Sequence, residues 1–253
     1  MSVSENVGAG SGKCPSIGWR SSAALSARRL AALTAVGALL GLLVGGVGGR
    51  LAMMLLARLN PEATGLTSDD DFIMGQFTVS NTLSLLLVGT LFGVVGAGVY
   101  DLLRGLRIGA RWFQVLSLAI GPAVVVGAQI VHTDGRDFQL LKPAWLAIGL
   151  FVAIPGVFAA LFTVIAEHML ATDGWWARVP FSVAVAPLLL WLPVSPLLVP
   201  LVAVWAVDQL LRRTRTGAKV LGHPAVPWSA RLGLAVIFAG SLLDLGRDTA
   251  ELM

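Results

Sequence analysis

Charge is scarce in this sequence. Asp, Glu, Lys and Arg make up 13% of its 253 residues, about half the ~25% usual in soluble proteins. That scarcity excludes an ordinary water-soluble domain. Cysteine occurs once, at Cys14, so no internal disulfide or CxxC thiol relay can form. No apolar stretch precedes Cys14, which argues against a lipoprotein signal. The three histidines, His132, His168 and His223, avoid the interiors of the apolar runs, against a bis-histidine haem within a bundle. The lysines, Lys13, Lys142 and Lys219, avoid them too, against a retinal-type Schiff base. There is no P-loop, HExxH or GxSxG signature. No catalytic residue, cofactor or metal site is expected.

What is abundant is apolar. Hydrophobic residues reach 56% and the mean hydropathy is +0.82. A membrane-crossing helix needs ~20 apolar residues, and the charge-free runs predict spans near 30–56, 81–103, 112–131, 145–167 and 226–246. The expected fold is all-α: a polytopic transmembrane helical bundle of about five spans plus a proline-broken hairpin segment at 180–211. Residues 1–29, Gly/Ser-rich and ending at Arg28 and Arg29, read as a disordered cytoplasmic tail. Residues 30–253 read as one transmembrane domain.

Net charge is +4 and the pI about 10.0. In a soluble chain this would point to nucleic acid. In a membrane chain, basic residues collect in cytoplasmic loops. The expected partner is therefore the lipid bilayer, not nucleic acid, with a homo-oligomer or a membrane-protein partner left open. Arginine outnumbers lysine fifteen to three and Ala, Gly, Val and Leu abound, a bias of GC-rich bacterial genomes. The expected location is the bacterial plasma membrane.

The segment at 180–211 sets the topology. Pro180, Pro187, Pro193, Pro196 and Pro200 each remove a helical hydrogen bond where they fall inside a helix, so one straight span is disfavoured. If the segment returns to its own side, thirteen Lys/Arg face the cytoplasm and four face out. If it crosses once, the split is nine to eight. The positive-inside rule then favours a hairpin, a cytoplasmic N-terminus and an outside C-terminus. Trp112, Trp145, Trp175, Trp176 and Trp228 read as interfacial anchors.

Four glycines, Gly37, Gly41, Gly45 and Gly49, recur every four residues in the first span and form a flat stripe for close helix packing. The second span offers Gly89, Gly93 and Ala97, and the third Ala119, Ala123 and Gly127. A 66-residue offset relates Thr67-x-x-x-Asp71–Phe72 to Thr133-x-x-x-Asp137–Phe138, and Asp101 to Glu167. It outlines a tandem hairpin repeat over 30–104 and 112–170, a duplication found in transport folds.

Arg50 stands between two apolar stretches, where a charge is costly and faces protein or water. Snorkelling to the outer interface is the plainer alternative. Asp71, His132, Asp134 and Asp137 gather on the predicted outer side. They are candidates for an ion pair with Arg50 or a polar site. Asp101, Glu167 and Asp208, at predicted cytoplasmic helix ends, are candidate titrating groups.

At Gly48–Gly49–Arg50–Leu51–Ala52–Met53, Thr67–Ser68–Asp69–Asp70, Phe77–Thr78 and from His132 through Asp137–Phe138 to Leu141–Lys142–Pro143, the chain resembles a group of uncharacterised multi-pass membrane proteins of actinobacteria. The resemblance covers about residues 30–168. It implies membrane localisation and helical architecture, and carries no activity. The leading functional expectation is a small non-ATP-driven transporter or channel-like protein. The alternative is a structural or assembly subunit of a membrane complex.

Overall fold

The computed structural model describes residues 19–63, 65, 78–133, 138, 140–170, 175–193 and 225–253, and contains no strand among them. The helices are α1 (Trp19–Leu40), α2 (Gly49–Leu59), α3 (Val79–Leu103), α4 (Arg111–Ile130), α5 (Ala144–Met169), α6 (Trp175–Arg178), α7 (Phe181–Ala184) and α8 (Ala225–Leu252). A π-helical segment, Gly41–Gly48, joins α1 to α2 without a break, so the first rod runs Ala24–Leu59. With α3, α4, α5 and α8 it makes five helices long and apolar enough to cross a membrane.

α1 begins at Trp19, eleven residues before the boundary expected from the sequence. Arg28 and Arg29 are therefore helical and not part of a tail. The pair marks a change of solvent, not a change of backbone: arginine is a good helix former, and its long stem lets an interfacial helix carry the charge. From Arg29 to Arg58 the rod spans about 44 Å at 1.5 Å per residue. That matches a bilayer including its headgroup regions, about 40–45 Å.

The first rod and α3 touch backbone to backbone. A Cβ added at Gly41 would lie 2.3 Å from the Gly89 carbonyl oxygen, and one at Gly93 would lie 2.0 Å from the Gly37 oxygen. Only glycine fits either position. Gly45 meets Gly89 at ordinary contact, while Gly49 has only the tip of Leu85 near it. In an α-helix, residues four apart drift by about 40° per step. The wider π turn, bonded i to i+5, offsets that drift over Gly41 and Gly45. Four glycines in the segment (41, 45, 46 and 48) offer no side chain to resist it.

α4 and α5 form a second small-residue hairpin. Ala123 Cβ would lie 3.1 Å from a Cβ at Gly156, and Val152 packs over Gly127. Pro122 and Pro155 sit inside these two helices, which membrane helices tolerate where neighbours cover the break. The buried core is thin. Leu33, Val36, Ala97, Tyr100 and Phe162 knit α1, α3 and α5 together. A second cluster joins Leu56, Val131, Phe138 and Ile148. Outside these, Leu87, Phe92, Leu116, Val157 and Ile237 stand exposed. With lipid as solvent this exposure has no cost, and van der Waals packing of small residues holds the helices.

Both flanks of the proline-rich stretch lie at one end of the bundle. Arg28 in α1 donates to the carbonyl oxygens of Trp176 and Val179. At the start of α8, Arg231 Nε donates to the Leu106 oxygen, just after α3, at 3.0 Å. His132, after α4, faces Asp248 near the other end of α8 at 3.9 Å. Within the stretch, α7 and a 3-10 turn, Ala186–Trp191, form a short apolar piece of eleven residues, Phe181–Trp191. It is too short to cross a membrane. The remainder of the segment expected over 180–211, from 194 on, lies outside the described residues.

Candidate functional site: a charged end clamping a broken segment

Arg28, Arg29, Arg107, Arg111 and Arg231 gather at the end of the bundle where α1, α3, α4, α5 and α8 meet. Arg29 pairs with Asp101. Arg107 pairs with Glu167, and Arg111 Nε reaches the other Glu167 oxygen at 3.1 Å. Arg107 Nη1 also donates to the Tyr100 hydroxyl at 3.2 Å, and its guanidinium lies 5.5 Å from that ring centre. Tyr100 packs edge-on against Phe162 at 5.0 Å. Arg231 stacks over Trp228 at 5.1 Å.

The pairs differ in worth. The Arg29 and Asp101 side chains are 40% and 33% exposed, so water screens them and the bond contributes little. Arg107 and Glu167 are 15% and 19% exposed, and the aromatic floor of Tyr100 and Phe162 shields them. Each acid closes one helical hairpin. Asp101, ending α3, takes an arginine from α1; Glu167, near the end of α5, takes one from the first turn of α4 and one from the loop before it. The offset that relates the acids in sequence does not carry over to their arginines.

The second part of the site is the broken segment. Trp191 Nε1 donates to Thr34 Oγ1 at 2.9 Å, and Thr34 Oγ1 donates to the Leu30 oxygen at 2.8 Å. Both residues are buried. Trp191 also packs with Ala38 and Val94. Thr34 lies six residues along α1 from Arg28, so the chain descends about 9 Å between the arginine-capped carbonyls and the tryptophan. Proline at 187 leaves backbone that cannot continue an α-helix. Arg28 supplies donors where the chain enters. Thr34→Val keeps the shape and removes the acceptor. It is expected to cost about 1–3 kcal/mol, the penalty for a buried indole N–H without a partner, read as a lower melting temperature in detergent.

Among the described residues the opposite end is less basic. Arg50 is half-buried in the first turn of α2, eight residues inward of Arg58. Of its expected partners, Asp71, Asp134 and Asp137 lie outside the described residues, as does Asp208. His132 is exposed. Among the described residues no three His, Cys, Asp or Glu side chains cluster as a metal site would need. Asn60 is a residue that sequence reasoning missed. It is buried, its Nδ2 donates to the Leu56 oxygen at 2.9 Å, and its Oδ1 accepts from the Lys142 backbone N–H at 2.6 Å. It ties the end of α2 to the start of α5. An asparagine directly before Pro61 was the available signal.

Between the π segment, α2 and α5 runs an apolar groove of about 310 Å³, lined by residues such as Val44, Leu51, Leu55, Leu150, Ala153 and Val157. The architecture is that of an integral membrane protein: an all-α bundle built on five apolar helices, with one strongly basic end. Comparison of the chain with protein-family models, with curated proteins and with solved structures finds no match.

Proposed function

We propose that this chain is a small, non-ATP-driven transporter or channel-like protein of the bacterial plasma membrane, with its basic end and N-terminus in the cytoplasm. The observation that carries the reading is the proline-broken segment held inside the bundle by Arg28 and by the Trp191–Thr34 hydrogen bond. Non-helical backbone at membrane depth persists where it is buried in protein or lines a watery cavity, and discontinuous segments of this kind form transport sites. The orientation follows from the arginines at one end, by the positive-inside rule. The ion pairs of Asp101 and Glu167 then close the cytoplasmic mouth.

The test is flux from reconstituted vesicles, across a panel of monovalent ions and small polar solutes. Wild type is expected to conduct at least one of them. Arg28→Gln, which loosens the entry of the broken segment, is expected to raise that flux about 3–10-fold. Flux no greater than from protein-free vesicles, for both proteins and every solute, overturns the reading. It would favour the second reading, an assembly subunit, to which α8 lends support. None of its residues is buried, so its surface is available to a partner helix.

A further inference from the structure

We propose that the corner where α4, α8 and the 104–106 turn meet binds the phosphate of an anionic phospholipid, from the leaflet at the basic end, through Arg111 and Arg231. α8 reaches this corner through Arg231, whose Nε donates to the Leu106 oxygen at 3.0 Å. The next residue, Arg107, pairs with Glu167, and Arg111 Nε lies 3.1 Å from the other oxygen of that carboxylate. Arg231 also lies over the Trp228 ring, 5.1 Å from its centre. Both guanidinium groups are thus held through Nε. Their Nη atoms have no partner among the described residues. A guanidinium binds phosphate oxygens bidentately through such free donors.

The corner opens to lipid. Trp112 and Leu116 are exposed four residues apart on α4, and Trp228 and Leu232 likewise on α8. Residues at that spacing share a helix face. Both helices begin at this end, so each turns a tryptophan outward and, one turn further in, a leucine. Tryptophan settles at headgroup level, and the leucines lie where an acyl chain descends from it.

The charge at this end selects an anion. The corner holds Arg104, Arg107, Arg111 and Arg231 against Glu167, and the first turns of α4 and α8 carry no acid. Arg29 and Asp101 cancel as a pair, while Arg28 and Arg178 add two more cations. Counting Glu5, Asp173 and Asp208 of the undescribed stretches against these, and none of the bases of those stretches, still leaves six arginines to four acids. The remaining acids follow in sequence the far ends of α2 and α4 or lie in the last third of α8. Such a surplus repels a choline cation and not an uncharged glycerol headgroup, so phosphatidylglycerol is favoured over phosphatidylcholine.

The test uses full-length protein, delipidated in neutral detergent, and native mass spectrometry with dioleoyl phosphatidylglycerol, dioleoyl phosphatidylcholine or inorganic phosphate at equal concentration. Wild type is expected to retain phosphatidylglycerol at least 5-fold more than phosphatidylcholine, and no inorganic phosphate. Arg111→Gln combined with Arg231→Gln should bring the two lipids within 2-fold. Arg58→Gln combined with Lys142→Gln, at the opposite end, should leave the preference at 5-fold or more. Should the first pair fail to fold, Arg231→Gln alone must at least halve the preference. The proposal is overturned if wild type shows no preference, if the preference survives loss of both arginines, if the opposite-end pair abolishes it, or if inorganic phosphate is retained as well as the lipid. Flux is not read, so the outcome is separate from that of the transport test.

Discussion

Gly93→Ala is expected to lower stability sharply, although alanine is the better helix former. A Cβ at Gly93 would fall 2.0 Å from the Gly37 oxygen and 2.8 Å from the Gly41 Cα. Both are backbone atoms of a continuous helix and cannot rotate away. The helices must part, and overpacking of this kind costs about 1–3 kcal/mol, against a gain of about 1 kcal/mol in helix propensity. Separating the pair also strips the contacts of Val94 and Ala97, so the larger end of that range is expected. At about 2–4 °C per kcal/mol for a chain of this size, the melting temperature in detergent should drop by several degrees. Gly149→Ala is the control, because a Cβ there meets nothing within 4 Å. It should leave the melting temperature equal or slightly raised. Equal loss in both variants would mean that close helix contact is not what Gly93 provides.

The second large effect is expected at Glu167. Its carboxylate holds Arg107 and Arg111. Glu167→Ala strands the Arg107 guanidinium, 15% exposed, over the Tyr100 ring. A fully buried pair broken this way loses 3–5 kcal/mol. With the partial exposure, about 1–3 kcal/mol is expected. Arg111, 72% exposed, can turn to water and adds little. Arg107→Ala in the Glu167→Ala background should recover part of the loss. A double-mutant cycle by denaturant unfolding should therefore give a coupling of about 1–2 kcal/mol. Additive losses would reduce the pair to two independent surface charges. The same cycle on Arg29 and Asp101, both more exposed, should give a coupling below about 1 kcal/mol.

The long apolar runs were legible because they need no partner to be read. The spans expected at 81–103, 112–131, 145–167 and 226–246 lie on α3, α4, α5 and α8. The start of the first rod was not legible. Arg28 and Arg29 end the apolar run, yet the helix begins at Trp19, because an arginine at an interface interrupts hydropathy without interrupting hydrogen bonding. The glycine spacing at 37, 41 and 45 coincides with the crossing of α3. The π turn that keeps these residues on one face depends on where α3 lies, and no local propensity encodes it.

Partners of charges were the least legible feature. Asp101 and Glu167 stood out as acids at helix ends, but their arginines come from 72 and 60 residues away, distances set by loop geometry and helix tilt. Thr34 offered a weak sign, a hydroxyl in an otherwise apolar run. Its role as acceptor for Trp191 required the broken segment to lie beside α1. The tryptophan therefore serves as a buried dock, whereas Trp112, Trp145 and Trp228 are exposed in the first turns of α4, α5 and α8.

The central claim is that α6 and the start of α8 lie on one side of a membrane, with the C-terminal end of α8 on the other. Single cysteines at Arg178, Ser229 and Glu251, in a Cys14→Ser background, test it directly in intact cells and inverted vesicles. Arg178→Cys and Ser229→Cys should both react with an impermeant maleimide only in inverted vesicles, and Glu251→Cys only in intact cells. Labelling of positions 178 and 229 from opposite faces would contradict the account.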